Sequence, residues 1–267
     1  LASLGARVST FSIIGREEEG KVLEGLLVTN HIDTGYLLKS NTRITTSKAR
    51  IMGRNQQMLR LDSETTADLS AAEEDELLAQ VEKYLREEHP QVMIFEDYNK
   101  GVLTPRVIKE VIGLCARYAV VTAVDPKRKN FFAYQGVTIF KPNLKEVKEG
   151  LNLLLDDIQL PALQQIHGQL AATLHHQISF ITLSEKGVYY QDSNGAAIIS
   201  SHLRSIADVS GAGDTVIAVA SMVYAVTRDS RLMAEIANIA GGLVCEEVGT
   251  AAISKDRLLK ECKLLLV

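Results

Sequence analysis

Short β-branched runs and helical patterns take turns along this chain, and that alternation restricts its fold more than any single motif. Residues 7–14 (RVSTFSII), 92–95 (VMIF), 119–124 (AVVTAV), 137–140 (VTIF) and 178–183 (ISFITL) read as strands. Helical patterns cover 17–28, 71–88, 104–117, 144–150 and 161–176, and further helices follow over 213–226, 231–247 and 254–264. Strands separated by helices must cross back over the sheet each time. The pattern therefore predicts an α/β fold: a mainly parallel sheet with helices on both faces. A length of 267 residues suits one large α/β domain or two small ones, and 46% hydrophobic residues supply a core. No internal repeat or low-complexity linker divides the chain.

Composition removes several classes of function. The net charge of −4 comes without a strongly basic block, which argues against nucleic-acid binding. The uncharged runs are too short for a membrane span and no signal-peptide pattern is present, so a cytoplasmic protein without a membrane partner is expected. The three cysteines, Cys115, Cys245 and Cys262, lie far apart with no metal-ligand spacing and read as reduced thiols. H-E-x-x-H is absent, and the adjacent His175 and His176 cannot share a helix face. The opening LASLGARVSTFSIIG reads as the end of a helix running into a strand, which predicts further residues ahead of Leu1.

One stretch departs from the alternation. SKARIMGRNQQMLRLDSE, residues 47–64, alternates apolar and polar residues on both sides of Gly53 and carries Lys48, Arg50, Arg54 and Arg60. It reads as a strand pair. Its charges suit either a solvated, protected sheet edge or a small β lid offering cations to an anionic ligand.

Open parallel sheets bind ligands beyond the carboxyl ends of their strands. Asp97 and Lys100 follow VMIF, Asp125 ends the next run, Lys141, Asn143 and Glu146 follow VTIF, and Ser184, Lys186 and Gly187 follow ISFITL. Four successive strand ends carrying polar groups predict a crevice along one sheet edge. The segment DVSGAGDTVIAVASMVY adds chemistry to it. Gly211, Ala212 and Gly213 precede a run, Thr215–Tyr224, that is apolar nearly all round and so reads as a buried helix. Small residues at a helix start leave backbone N–H groups bare, and these attract negative charge. Asp208 and Asp214 flank the turn, and Asp214 lies where a reacting atom could reach it, so the loop reads as an anion hole beside a carboxylate base. G-x-x-x-x-G-K-[ST] is absent, and a dinucleotide fingerprint would need a preceding strand at the start of a βαβ unit. Asn238 shares a helix face with Gly241 and Gly242, which suits either close helix packing or a flat bed for an adenine ring.

DVSGAGD resembles the D-x-x-G-A-G-D signature of the ribokinase-like (PfkB) carbohydrate kinases, and NLKE, Asn143 to Glu146, is similar to their N-x-x-E motif. The resemblance runs along nearly the whole chain. It implies a ribokinase-like three-layer α/β/α fold over 1–267 with a small β lid at about 40–64. The implied activity is ATP-dependent phosphorylation of an alcohol on a small molecule. On this resemblance Asp214 is the catalytic base, and Gly211, Ala212 and Gly213 form the anion hole with it. Asn143 and Glu146 organise Mg²⁺, with Glu146 toward the metal. Thr182, Ser184, Lys186 and Gly187 line the nucleotide, with Asn238 at the adenine. A monovalent cation and a homodimer formed through the lid are also implied.

Within that family, SKARIMGRNQQMLRLDSE, EDYNKGVLT, SIADVSGAGDTVIA and VGTAAIS resemble the D-glycero-D-manno-heptose 7-phosphate kinases. These phosphorylate the anomeric hydroxyl to the 1,7-bisphosphate for lipopolysaccharide precursors. In many bacteria they form half of a bifunctional protein with an adenylyltransferase; the present chain reads as the kinase alone. A sugar already carrying a phosphate gives the basic hairpin a purpose, with Arg54, Asn55, Lys100 and Asp97 as its substrate-binding residues. The rivals are a ribokinase-like kinase for another sugar phosphate or a nucleoside, and a binding protein without turnover. The chain departs from the family at Val209, where Thr is usual, and at Ser184, where Gly is common. The family's first strand, with its substrate-binding Asp and following Gly-Gly, has no counterpart in this sequence.

Overall fold

The computed structural model describes residues 1–53, 56–154 and 158–266. In chain order these form β1 (Val8–Ser9), β2 (Ser12–Gly15), α1 (Glu18–Thr29), β3 (Ile32–Asp33), β4 (Leu37–Ser40), β5 (Ser47–Gly53), β6 (Gln56–Ser63), α2 (Ala71–Glu88), β7 (Val92–Glu96), α3 (Pro105–Arg117), β8 (Val121–Asp125), β9 (Ile139–Phe140), α4 (Leu144–Leu151), α5 (Leu160–Leu174), β10 (Ile178–Thr182), β11 (Val188–Gln191), β12 (Ala196–Ile199), α6 (Ala212–Thr227), α7 (Ser230–Val244) and α8 (Lys255–Leu265).

The main sheet has six strands in the order β12-β11-β10-β9-β8-β7. From β7 to β10 the pairing is parallel, and β10, β11 and β12 pair antiparallel. Successive side chains of a strand face opposite ways, and here each face has its own core. Phe95, Val124, Phe140 and Ile181 pack with α2, α3 and α5 on one side. Ile94, Ala123, Ile139 and Phe180 pack with α6 and α7 on the other. The result is the expected α/β/α sandwich.

Local chemistry explains the helix starts. Ser70 and Glu73 form a reciprocal capping box on α2, Thr104 caps α3 ahead of Pro105, and Asn143 and Glu146 form a second capping box on α4. Helix α6 starts differently: Gly211 sits in the left-handed region at φ 80 and no side chain caps the first turn. Among the described residues no helix is long and apolar enough to cross a membrane.

The structure refines the sequence expectations. Residues 7–14 are two strands, β1 and β2, which pair in parallel with β3 and β4 in two small sheets apart from the main one. The antiparallel edge strands β11 and β12 belong to no anticipated run. Their signal was Asp192-Ser-Asn-Gly195, a turn in which the Asp192 carboxylate accepts from the N–H groups of Asn194 and Gly195. The hairpin β5–β6 forms as expected, and Ile51, Met58, Leu59 and Leu61 on it are exposed. Helix α6 is buried on its β-sheet and α7 sides but not all round. Ala218, Met222 and Val226 line a cavity of about 1170 Å³ that also runs between the edges of β7 and β2, which pair with no further strand among the described residues.

Candidate active site

Because β7, β8, β9 and β10 are parallel, their carboxyl ends lie along one edge of the sheet. The start of α6 meets that edge. Gly213 is close enough to β8 that a Cβ on it would come within 3.8 Å of both Asp125 Oδ2 and Lys141 Nζ. The N–H groups of Gly213 and Asp214 donate to no protein acceptor among the described residues. They are available to an anion, as the first-turn donors of an uncapped helix should be.

Asp208 braces this turn. Its Oδ1 accepts from the Ser210 N–H at 2.9 Å and the Ser210 hydroxyl at 2.8 Å, and Oδ2 accepts from the Gly249 N–H at 3.1 Å. The bonds from Ser210 hold its carboxyl below the usual aspartate range, with burial opposing them. Asp214 remains open to the cleft. Its Oδ1 accepts from the Tyr98 hydroxyl at 2.7 Å, and its oxygens lie within 4.8 Å of those of Glu96 and Asp125.

Glu96 closes β7 and was not singled out by the sequence; its neighbour Asp97 was. Strand alternation decides between them. Ile94 faces the α6 core, so Glu96 faces α6 as well, while Phe95 and Asp97 face the opposite core. Asp97 is 2% exposed and is engaged internally, accepting from Asn99 N–H at 2.8 Å, Tyr134 hydroxyl at 2.8 Å and Asn130 Nδ2 at 3.3 Å. Glu96 and Tyr98 present polar atoms at the cleft instead. Although open on that side, Glu96 is walled by protein on the others. This desolvation first, then the carboxylates of Asp125 and Asp214, pushes its pKa up to about 8, with Lys141 and Lys127 opposing.

Lysines offset the remaining charge. Lys141, almost completely buried, lies 2.9 Å from Asp125 Oδ2. Lys127 bridges Asp125 Oδ1 at 3.4 Å and Glu146 Oε1 at 2.7 Å. The other oxygen of Glu146 accepts from the Asn143 N–H at 2.8 Å, and Asn143 Oδ1 accepts from the Glu146 N–H at 2.9 Å. The N-x-x-E pair thus caps α4 at the end of β9 and stands one strand from Asp125.

The expected nucleotide residues follow along the same edge. Asn143 and Thr182 form a parallel bridge. Ser184–Lys186 is a single 3₁₀ turn after β10, closed by Gly187 at φ 97, where a Cβ would lie 2.0 Å from the Ile199 carbonyl oxygen, so only glycine fits. Asn238 is buried and donates to the Ser200 carbonyl at 2.8 Å. A Cβ on Gly241 would meet Val216, and one on Gly242 would meet Arg204, so close packing takes up both glycine faces. Arg204 is itself held by Glu246 at 3.1 Å and Glu261 at 2.9 Å.

Toward the hairpin, Lys100 Nζ lies 2.5 Å from Glu64 Oε1, and Lys48 lies 3.7 Å from Glu64 Oε2. Arg43 donates to the carbonyls of Ala67 at 2.6 Å and Lys100 at 2.7 Å, fixing the hairpin's base beside the cleft. Arg54 and Asn55 lie outside the described residues.

A bare helix N-terminus, a carboxylate in its first turn and a row of cations and amides thus stand together along one edge of an open α/β sheet. Residues 1–257 match the pfkB family carbohydrate kinases, and the chain belongs to that family. It is 36% identical over 261 residues to the bifunctional protein HldE of Methylobacillus flagellatus, covering 98% of this chain and 53% of that protein. With the HldE of Helicobacter acinonychis it shares 34% identity over 259 residues, covering 97% and 55%. The chain spans about half the length of these relatives. In fold it is similar to Escherichia coli phosphofructokinase-2 in complex with potassium, with a TM-score of 0.84 at 17% identity, covering 100% of this chain and 84% of that one. Arabidopsis thaliana ribokinase complexed with ribose and ATP gives a TM-score of 0.78 at 14% identity, covering 97% and 83%.

Proposed function

We propose that this chain transfers the γ-phosphoryl group of ATP to the anomeric hydroxyl of D-glycero-D-manno-heptose 7-phosphate, giving the 1,7-bisphosphate. The observation that carries this reading is the similarity of nearly the whole of this chain to about half of each HldE protein, joined to a cleft with a carboxylate and bare N–H groups at one point. A sugar hydroxyl is a poor nucleophile at neutral pH. Asp214 accepts its proton as the oxygen bonds to the γ-phosphorus, and ADP leaves as that phosphorus parts from the bridging oxygen. The N–H groups of Gly213 and Asp214 stabilise the charge on the phosphoryl oxygens in transit. ATP lies along the strand ends toward Asn143, Thr182, Ser184, Lys186, Gly187 and Asn238, and the sugar lies toward Tyr98 and the hairpin. Lys100 and Lys48 take the sugar's own phosphate, with Arg54 and Asn55 proposed from the sequence alone to share that task.

The oxygen-only donors at the start of α6 suit a hard cation such as Mg²⁺. Glu96 and Asp125 would hold it, with Glu146 on the nucleotide side, and it would supply charge neutralisation at the phosphates.

For domain organisation, residues 1–267 make one kinase unit with β5–β6 as its lid. The exposed Ile51, Met58, Leu59 and Leu61 support pairing of two lids in a homodimer. The activity is tested by ADP release with heptose 7-phosphate against fructose 6-phosphate, ribose and a nucleoside. Preference for heptose 7-phosphate is the expected result; preference for another acceptor moves the assignment elsewhere in the family, and no turnover with any acceptor leaves a binding protein.

A further inference from the structure

The proposed mechanism uses Asp214 as a base but leaves Tyr98 unexplained. The Tyr98 hydroxyl donates to Asp214 Oδ1 at 2.7 Å, the length expected for an alcohol donating to a carboxylate. An acceptor sugar must make this same contact before it reacts. The phenol oxygen therefore occupies a place that a substrate hydroxyl needs. Resting on the reading of Asp214 as the base, we infer that Tyr98 is a placeholder: it caps the base while the sugar is absent and is displaced by the sugar's hydroxyl.

The surrounding geometry allows such a swing. The turn beneath the ring is anchored through Asp97, whose carboxylate is held by Asn99, Asn130 and Tyr134. Asn99 and Gly101 take left-handed conformations at φ 53 and φ 76, which fix the backbone of the turn. The ring stands outside this brace, with Tyr98 52% exposed and its hydroxyl bonded, among the described residues, only to Asp214. Rotation of the side chain toward solvent breaks one hydrogen bond and leaves the turn intact.

The consequence is protection against wasted ATP. With ATP bound and no sugar, an uncapped Asp214 can accept a proton from water. The water oxygen would bond to the γ-phosphorus, the bond to the bridging oxygen would break, and ADP and inorganic phosphate would leave. A phenol hydroxyl on Oδ1 competes with that water. Sugar and phenol compete in the same way, so the placeholder also raises the sugar concentration needed for half-saturation.

Tyr98→Phe keeps the ring and removes the donor. Steady-state ATP hydrolysis without sugar is expected to rise at least about fivefold, because a base of this kind accelerates proton transfer by 10²–10⁴ once it is free. The KM for heptose 7-phosphate is expected to fall about two- to tenfold, the net worth of one exchanged hydrogen bond. A residue that only supports the fold would lower kcat and raise KM together. Tyr98→Leu should repeat the rise in hydrolysis. Asp214→Asn is run alongside. If it retains activity, the base reading fails and the placeholder with it. If it is inactive while Tyr98→Phe shows neither the rise in hydrolysis nor the fall in KM, the base stands and the placeholder role is overturned.

Discussion

Replacing Asp214 by Asn separates the two devices gathered at the start of α6. The amide keeps the size of the side chain and both bare N–H groups of the turn, and it removes only the basicity. General-base catalysis contributes about 10²–10⁴ in rate, or about 2.7–5.4 kcal/mol at 1.36 kcal/mol per decade. We therefore expect kcat to fall by that factor while ATP still binds. The effect on stability should be small, because two changes oppose each other. A carboxylate in the first turn of a helix is favourable by about 0.3–1 kcal/mol, but Asp214 also lies within 4.8 Å of the oxygens of Glu96 and Asp125, and that repulsion disappears. A net change of about 1 kcal/mol would move Tm by only about 2–4 °C in a domain of this size.

Glu96 supplies an independent reading of the same substitution. Its pKa of about 8 is due first to burial and then to Asp125 and Asp214, so removing one charge must bring it down. A carboxyl whose folded pKa is raised contributes its full stability below the ordinary glutamate pKa and loses it as pH rises through about 8. Relative to wild type, Asp214→Asn should accordingly gain more stability at alkaline than at acid pH. Single-turnover kinetics with calorimetric ATP titration measures the catalytic loss, and carboxyl NMR follows Glu96. Retention of more than about a tenth of wild-type kcat would refute the base, and an unmoved Glu96 would refute the described cluster.

Lys100→Ala should raise the KM for the sugar phosphate about 10-fold or more, since a hydrogen bond to a charged group is worth about 1.5–3 kcal/mol. Arg54→Ala should do likewise, and equal efficiency on heptose and heptose 7-phosphate would contradict both. His176, 6% exposed with Nε2 2.6 Å from Ser179 Oγ, has its pKa lowered to about 4 by burial and then by His167. Its contribution is therefore full above about 6.5 and is lost as pH falls toward 4, a loss of about 3 kcal/mol. His176→Gln should flatten that part of the urea-unfolding profile, and an unchanged acid limb would assign it to other groups. Gly187→Ala places a methyl 2.0 Å from the Ile199 carbonyl oxygen at φ 97. It should cost at least about 2 kcal/mol and lower Tm by at least about 4 °C, and a shift within error in a thermal melt would show that the turn adapts.

Much of this protein is determined locally. The order of strands and helices followed from runs of β-branched residues separated by helical patterns, and the capping boxes at Ser70 with Glu73 and Asn143 with Glu146 show the physical reason: a side chain and the backbone within four residues of it decide a helix start. The loop around Asp214 was legible for the same reason. Glycine and alanine at a helix start offer no side chain to cap it, which leaves the N-terminus bare, and Asp208, seen in the sequence to flank the turn, braces it. Tertiary structure decided what depends on partners distant in the chain. Whether Glu96 or Asp97 meets Asp214 is a matter of which sheet face carries α6, and a run of five strand residues does not state that. Tyr98 reaches Asp214 across 116 positions of sequence. The flat notch at Gly241 and Gly242 is taken up by Val216 and Arg204, and Lys100, read as a residue for the sugar's phosphate, stands against Glu64. Each of these is set by parity along a strand or by a contact between separate elements. Periodicity and composition, which describe one element at a time, carry no information about either.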